Sequence, residues 1–504
     1  MDIESLLRES RAERIQERIG LETDVGKEQF GKQLRKFTSN IGVLQRRQET
    51  LLELRKSLTP ETESTLDALF HELHTLEPEL KLFFSRTAVE TDSYGQLLFS
   101  GWSSLQVFNT IPFVLLCLSI YKQYIVPALA VLMPLFMVIM PYIFLTYISK
   151  IAISPEQYVH ILMNMFGLQN LDLTNPRTIL QGSLTLFSIG QSIYQPIQNA
   201  LHLQTIHKEM MKKTHAAQRI VHCVESLQQF FPSSKSLQAC LDDIPKQDEH
   251  RLFAEFWDSP YKLQWILTTI GDCEVVYRLA KTSSIKPVEF LAGKKPFLQI
   301  HQGVDPFLET AIPFELKLSG KTHHAILTGP NRGGKSSVLR STLLNIVLAQ
   351  TFGMGTLGET GFFLLRPFDW IATGLRLEDR PGSTSMFESE VEFSLQILQR
   401  AKATPDQLGF LVFDELFHST NPPDGARTAD IFLQKLWQTP NTVSFISTHV
   451  FDLAKKAPKH IQKLCVPAHK GKGDSLTFTY TLQKGICEVS SVDLILKEKG
   501  LLSA

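Results

Sequence analysis

The 504-residue chain has no excess of charge of either sign: 51 lysines and arginines stand against 51 aspartates and glutamates. A global attraction to nucleic acid or to an anionic surface is thereby excluded, and any such preference falls to local patches. Cysteine is sparse. The six residues (Cys117, Cys223, Cys240, Cys273, Cys465, Cys487) are scattered and form no C-x-x-C pair. This spacing offers neither a zinc site nor a disulfide framework, and it fits a reducing compartment. The first twenty residues, MDIESLLRESRAERIQERIG, are charged throughout and lack the apolar core of a secretory signal. Low-complexity linkers and internal repeats are missing too. Hydrophobic residues make up 43% of the chain, an ordinary share, so long apolar runs are local features.

Two such runs exist. Residues 125–148 (IVPALAVLMPLFMVIMPYIFLTYI) carry no charge and hold a proline at every seventh position, Pro127, Pro134 and Pro141. A bilayer core is crossed by about 20 apolar residues in a helix. Residues 98–121 are likewise uncharged, and only KQY separates the two runs. They read as a transmembrane helical hairpin over 96–150, touching lipid through residues 98–148. Both flanks then lie on one cytosol-like side, with Arg86 and Lys150 beside it. Shallow insertion and a hairpin buried in a soluble core are the alternatives. Prolines two turns apart fall on nearly one face, which would form the hairpin seam. A third uncharged stretch, residues 178–207, is rich in Gln, Ser and Asn and reads as a packed or interfacial helix rather than a further span.

Around this hairpin the chain changes texture. Residues 1–95 and 151–285 show apolar positions at helical spacing between charges, giving a mostly α-helical region. In SLTPETEST a helix start is expected at Pro60, with Thr59 as cap and Thr62 as the alternative. From residue 286 short strand-like runs (FLQIH, AILTG, LGFLVFDE, VSFIST, LTFTYTL) alternate with helical stretches, the pattern of an α/β domain with a parallel sheet.

That domain carries the chemistry. AILTGPNRGGKSSVLRSTLLNIVLAQ is a strand, a glycine-rich loop and a helix, with Gly329, Gly334, Lys335 and Ser336 fitting G-x-x-x-x-G-K-[ST]. Glycines let backbone N–H groups turn inward around phosphate oxygens, and the helix start favours the anion. ATP contacts are therefore assigned to Gly329, Pro330, Asn331, Gly333, Gly334, Lys335, Ser336 and Ser337. Lys335 would reach the β- and γ-phosphates, and Ser336 would ligate Mg2+. LGFLVFDELFHST reads as a buried strand ending in paired carboxylates: Asp414 for the magnesium and Glu415 as general base. VSFISTHVFDLA ends a third strand at His449, read as a sensor of the γ-phosphate.

Together these residues resemble the ATPase domain of the MutS family. The family's T-G-P-N-x-x-G-K-S stands here as Thr328–Ser336. Its D-E-x-x-x-G-T-S-x-x-D-G stands as DELFHSTNPPDG, Asp414–Gly425, and its T-H-y-x-x-L as THVFDL, Thr448–Leu453. Its S-T-F-M-x-E-M segment is similar to SMFESEV, which implies that Ser385 acts in trans on the γ-phosphate of a partner subunit. The resemblance therefore implies a P-loop NTPase domain at 286–504 that uses ATP and Mg2+ and pairs as a homodimer. A fainter likeness of IGVLQRRQETLLEL and TLEPELKLFFSR to the family's helical lever implies a lever region joined to it.

The departures bear on output. Ser419 replaces the usual Gly, Asn421 the usual Ser, and Phe314 stands where an Asn is usual. No N-terminal mismatch-reading domain fits in the chain, and Phe253-Ala254-Glu255 has the letters of its wedge in the wrong region. Basic stretches (KQLRKF, LQRRQE, HKEMMKKTHAAQR) would meet DNA phosphates or lipid headgroups. The L-S-G-G-Q signature of transporter ATPases is absent. The expectation is a membrane-anchored, nucleotide-switched ATPase coupled to DNA; the alternatives are an ATPase acting on membrane or protein partners without mismatch recognition, and a tether that nucleotide only stabilises.

Overall fold

The structure, a computed structural model, describes residues 3–98, 105–165, 176–232, 234–242, 249–375, 386–470, 476–491 and 496. The chain divides into two compact units. One comprises Met1–Phe70 with Ile270–Ala504, the other His71–Thr269.

In the first unit twelve strands are described: β1 (Ile285–Phe290), β2 (Phe297–Gly303), β3 (Phe314–Ser319), β4 (His324–Thr328), β5 (Met354–Leu365), β6 (Trp370–Gly374), β7 (Gly409–Phe413), β8 (Thr442–Ser447), β9 (Gln462–Cys465), β10 (Ala468–Lys470), β11 (Leu476–Phe478) and β12 (Gln483–Lys484). The main sheet runs β12-β9-β4-β8-β7-β6, parallel throughout except for the β12 edge. Strands β4, β6, β7 and β8 are buried at every position, which is why they read as continuous apolar runs rather than alternating ones.

The expectation of one parallel sheet needs correcting at two runs. FLQIH belongs to a separate sheet, β1-β5-β2-β3, whose β2 pairs are antiparallel. Its inner positions alternate with half-exposed ones, as suits a strand covered on one face. LTFTYTL supplies β11, which pairs only with β10.

Helices from the N-terminal 70 residues belong to the same unit. Arg47 donates to the carbonyl of Thr351 (2.7 Å) and Gln48 to that of Gly353 (2.6 Å), satisfying carbonyls at the end of the helix Lys335–Phe352. The Thr59 hydroxyl accepts from the Thr62 amide at the start of Pro60–Phe84, so Thr59 caps as expected.

The second unit is helical. Phe83, Phe253 and Phe256 are fully buried and pack with Tyr94 and Trp257. Phe253 is thus a core residue, and its wedge-like letters are a coincidence of composition. The long apolar run forms one continuous helix, Pro112–Ile148. The hairpin turn expected at residues 122–124 does not occur. Instead Tyr121–Ile125 is a π turn, in which the Val126 amide bonds the carbonyl of Tyr121. KQY contains no residue that breaks a helix, and the wider turn makes room for the ring of Pro127. Of the first expected span, 98–121, only Pro112–Ile120 is α-helical; residues 106–110 form a 3-10 turn and residues 99–104 lie outside the described residues. The stretch 178–207 opens a 55-residue helix, Pro176–Phe230.

Candidate nucleotide site

Strand β4 delivers the chain into a glycine loop whose backbone dictates its sequence. Gly329 has φ +149°, and a Cβ there would sit 2.7 Å from the carbonyl oxygen of Val466. Gly334, at φ +98°, begins the helix Lys335–Phe352. Both conformations favour glycine. The loop is tied down by the Gly333 amide on the Pro330 carbonyl (3.1 Å) and by Ser491 Oγ on the Asn331 carbonyl (3.0 Å).

Lys335 is buried at the first position of that helix. Its ammonium donates to the carbonyls of Gly329 (3.0 Å) and Pro330 (3.2 Å). Burial lowers its pKa, while the charges of Glu415 and Asp414 oppose that shift.

The paired carboxylates end β7, next to β8 in the sheet. Ser447, the last residue of β8, donates its hydroxyl to Asp414 Oδ1 (2.5 Å) and accepts from the Glu415 amide (3.1 Å). Glu415 itself sits at φ +58° and Phe417 at φ +54°. Left-handed residues without glycine are costly and concentrate where a side chain must be aimed. His449 Nε2 lies 2.6 Å from Glu415 Oε1 and 3.4 Å from Lys335 Nζ. This hydrogen bond is the main cause holding Glu415 below the usual carboxylate range. Sequence alone placed His449 beside the nucleotide; the structure joins it to both Glu415 and Lys335.

A cleft of about 710 Å³ opens above the loop. Pro330, Asn331, Gly333, Gly334, Lys335, Ser336, Ser337 and Glu415 line it together with Phe314, Tyr480 and the segment 308–312. Tyr480, at φ +53° and with its ring near Gly334, was not anticipated. Nor were Leu308 and Ile312, whose exposed side chains give the cleft an apolar wall. Their signal is only a tyrosine after a short strand and a loop of mixed composition. An apolar cleft with a charged floor suits a ligand that joins a planar ring to phosphates.

Magnesium fits the donor set. Ser336 and Asp414 offer hard oxygen ligands, and Asp414 is oriented by Ser447. Ser385 lies outside the described residues. Ser419 donates to Glu390 Oε2 (2.7 Å), and Asn421 caps the helix Pro422–Leu436 by accepting from the Asp424 amide (3.0 Å). Both departures from the family pattern therefore keep a local structural role. Gly425 is required because a Cβ would meet the Phe417 carbonyl at 2.5 Å.

Residues 325–495, which hold the glycine loop, the paired acids, His449 and Tyr480, match the family model for MutS domain V. Over this region the chain is similar to the MutS family. Over 251 residues it is 26% identical to the DNA mismatch repair protein MutS of Streptococcus uberis. That alignment covers 48% of this chain and 29% of the relative, so the chain spans under a third of the relative's length.

Proposed function

We propose that the chain is an ATP-binding and ATP-hydrolysing switch anchored in a membrane, which works as a homodimer through its 286–504 domains. The observation that carries the ATPase reading is the convergence of Lys335, Glu415 and His449 at one end of a cleft floored by the glycine loop. Gly329 to Ser337 would hold the phosphates, and Ser336 and Asp414 the magnesium ion. Bound there, the ion would screen phosphate charge. Glu415, kept ionised by His449, would take the proton of the attacking water. His449 and Lys335 would respond to the γ-phosphate, because both must rearrange when phosphate replaces the loop carbonyls as the partner of Lys335. Ser385 would reach the partner's nucleotide.

For the output, DNA binding is the first reading, since the relative is named as a DNA mismatch repair protein. The second is work on a membrane, favoured by the helix Pro112–Ile148. Its Val126–Ile148 part has no buried residue, and a helix of this length and composition is long enough to cross a bilayer. ATP turnover by the detergent-solubilised chain, with and without homoduplex, mismatched and branched DNA, tests this. Stimulation by one DNA form supports the first reading. Turnover indifferent to DNA but responsive to lipid composition supports the second. Equal turnover by wild type and Glu415→Gln would leave neither standing.

A further inference from the structure

The continuous helix Pro112–Ile148 is not uniform. Leu115 and Ser119 are buried, and the first part packs on the helix Glu249–Asp258. Beyond the π turn, Val126–Ile148 is exposed or half-exposed at every position, with Leu132, Leu135, Phe136, Met137 and Tyr147 at 50% or more. Burial therefore divides the run at Lys122 and Gln123, and the lipid-fit part is 23 residues, about 34 Å of helix.

The long helix Pro176–Phe230 packs against both this segment and the π turn. Its opening half has the same length of fit. Residues 178–207 carry no lysine, arginine, aspartate or glutamate, and Arg177 and Lys208 bracket them as Lys122 and Lys150 bracket the first segment. The exposed side chains include an apolar stripe at seven-residue spacing, Leu180 (61%), Phe187 (65%), Tyr194 (59%) and Leu201 (52%), joined by Leu184 (59%). The polar residues are of the kind that membrane helices tolerate. Ser183 returns its hydroxyl to the Ile179 carbonyl (2.8 Å), and the exposed Gln195, Gln198 and Asn199 cluster towards the Lys208 end. Pro196 sits inside the helix.

We propose that residues 179–201 are a second membrane-spanning helix paired with Val126–Ile148, so that the partner of both exposed faces is the hydrocarbon of one bilayer. The chain then enters at Lys122, emerges at Ser149 on the far side, and returns by Lys208. The occupant is lipid rather than a second copy of the chain because Val126–Ile148 is apolar all round; one helix–helix seam would leave most of that surface in water. A bilayer of about 30 Å covers two helical segments of about 34 Å each with modest tilt. The inference rests on the membrane reading above and changes its topology: the pair is 126–148 with 179–201, not two runs meeting at 122–124.

The test is labelling by a membrane-impermeant maleimide. The full chain, with its six natural cysteines replaced, is reconstituted in sealed phosphatidylcholine–phosphatidylglycerol vesicles carrying Tyr124→Cys, Ser149→Cys or His222→Cys. ATP binding confirms that each variant folds. In vesicles where His222→Cys is labelled from outside, Tyr124→Cys is labelled equally, and Ser149→Cys at least tenfold less until detergent is added. Protection of Tyr124→Cys with labelling of both others means that residues 179–201 do not cross the bilayer, and overturns the proposal. Release of the natural chain by alkaline carbonate would instead sink the membrane reading itself, and a soluble dimer found there would assign the stripe to a second copy. As a second check, Leu184→Lys with Phe187→Lys lowers the carbonate-resistant fraction at least fivefold; an unchanged fraction contradicts the second span.

Discussion

His449 Nε2 lies 2.6 Å from Glu415 Oε1, and the same ring nitrogen lies 3.4 Å from Lys335 Nζ. A single histidine thus connects the residue that would activate water with the residue that would hold the γ-phosphate. Loss of this link has a pH signature. Glu415 is held below the ordinary carboxylate range chiefly by its hydrogen bond to His449. In His449→Ala that cause disappears, so Glu415 titrates higher and the acid limb of ATP turnover moves to higher pH. By linkage, the same bond adds stability above the unfolded carboxylate pKa, and this contribution is lost as pH falls through the lowered folded value. A pH–rate profile unchanged in His449→Ala would contradict this.

Binding and hydrolysis should separate by residue. Lys335→Ala removes the buried cation beneath the cleft, and nucleotide affinity should fall by about 10²-fold, read by fluorescent-nucleotide titration. Glu415→Gln keeps the shape but not the base. Its affinity should stay within about threefold of wild type while turnover drops by about 10²-fold or more.

Gly329→Ala should destabilise the domain by about 1–3 kcal/mol, because alanine is strained at φ +149° and its Cβ would crowd the Val466 carbonyl. Chemical denaturation of the variant measures this.

Glu274 is fully buried and accepts from the Glu22 amide (2.8 Å), the Thr23 amide (3.3 Å) and the Thr23 hydroxyl. Gly26 leaves room for it, since a Cβ there would lie 2.0 Å from Glu274 Oε2. Glu274→Ala strands those donors and should cost about 3–5 kcal/mol in a denaturation experiment. Burial raises the Glu274 pKa. Its share of stability is therefore greatest below the unfolded carboxylate pKa and diminishes as pH rises towards the raised folded value.

Met133 and Met137 are exposed on the apolar helix (50% and 68%). Replacing both with lysine puts two charges where the account has hydrocarbon, at about 2.5–3.5 kcal/mol each. The variant should be extracted by alkaline carbonate while the natural chain stays with the membrane.

Much of the site was legible because its chemistry needs specific residues in a fixed local order. The glycine loop, the paired acids after β7 and the histidine after β8 each lie within one strand–turn unit, and parallel strands gather their ends. What sequence order does not encode is contact between distant segments. Ser447 orienting Asp414, Tyr480 over Gly334 and the 308–312 wall all arise from tertiary packing of residues with ordinary local roles. The hairpin turn expected at KQY fails for a different reason. Three residues between two uncharged runs look like a loop, but a π turn absorbs them and keeps the helix continuous. FLQIH read as a strand and is one; its sheet partner was not decidable from five residues.

The most direct test of the central claim is Mg2+-dependent ATP turnover by the full chain reconstituted in liposomes, measured for wild type and Glu415→Gln alongside nucleotide binding. Turnover in wild type, its loss in Glu415→Gln, and ATP binding in both are expected. Absence of binding in wild type, or equal turnover in the two, would contradict it.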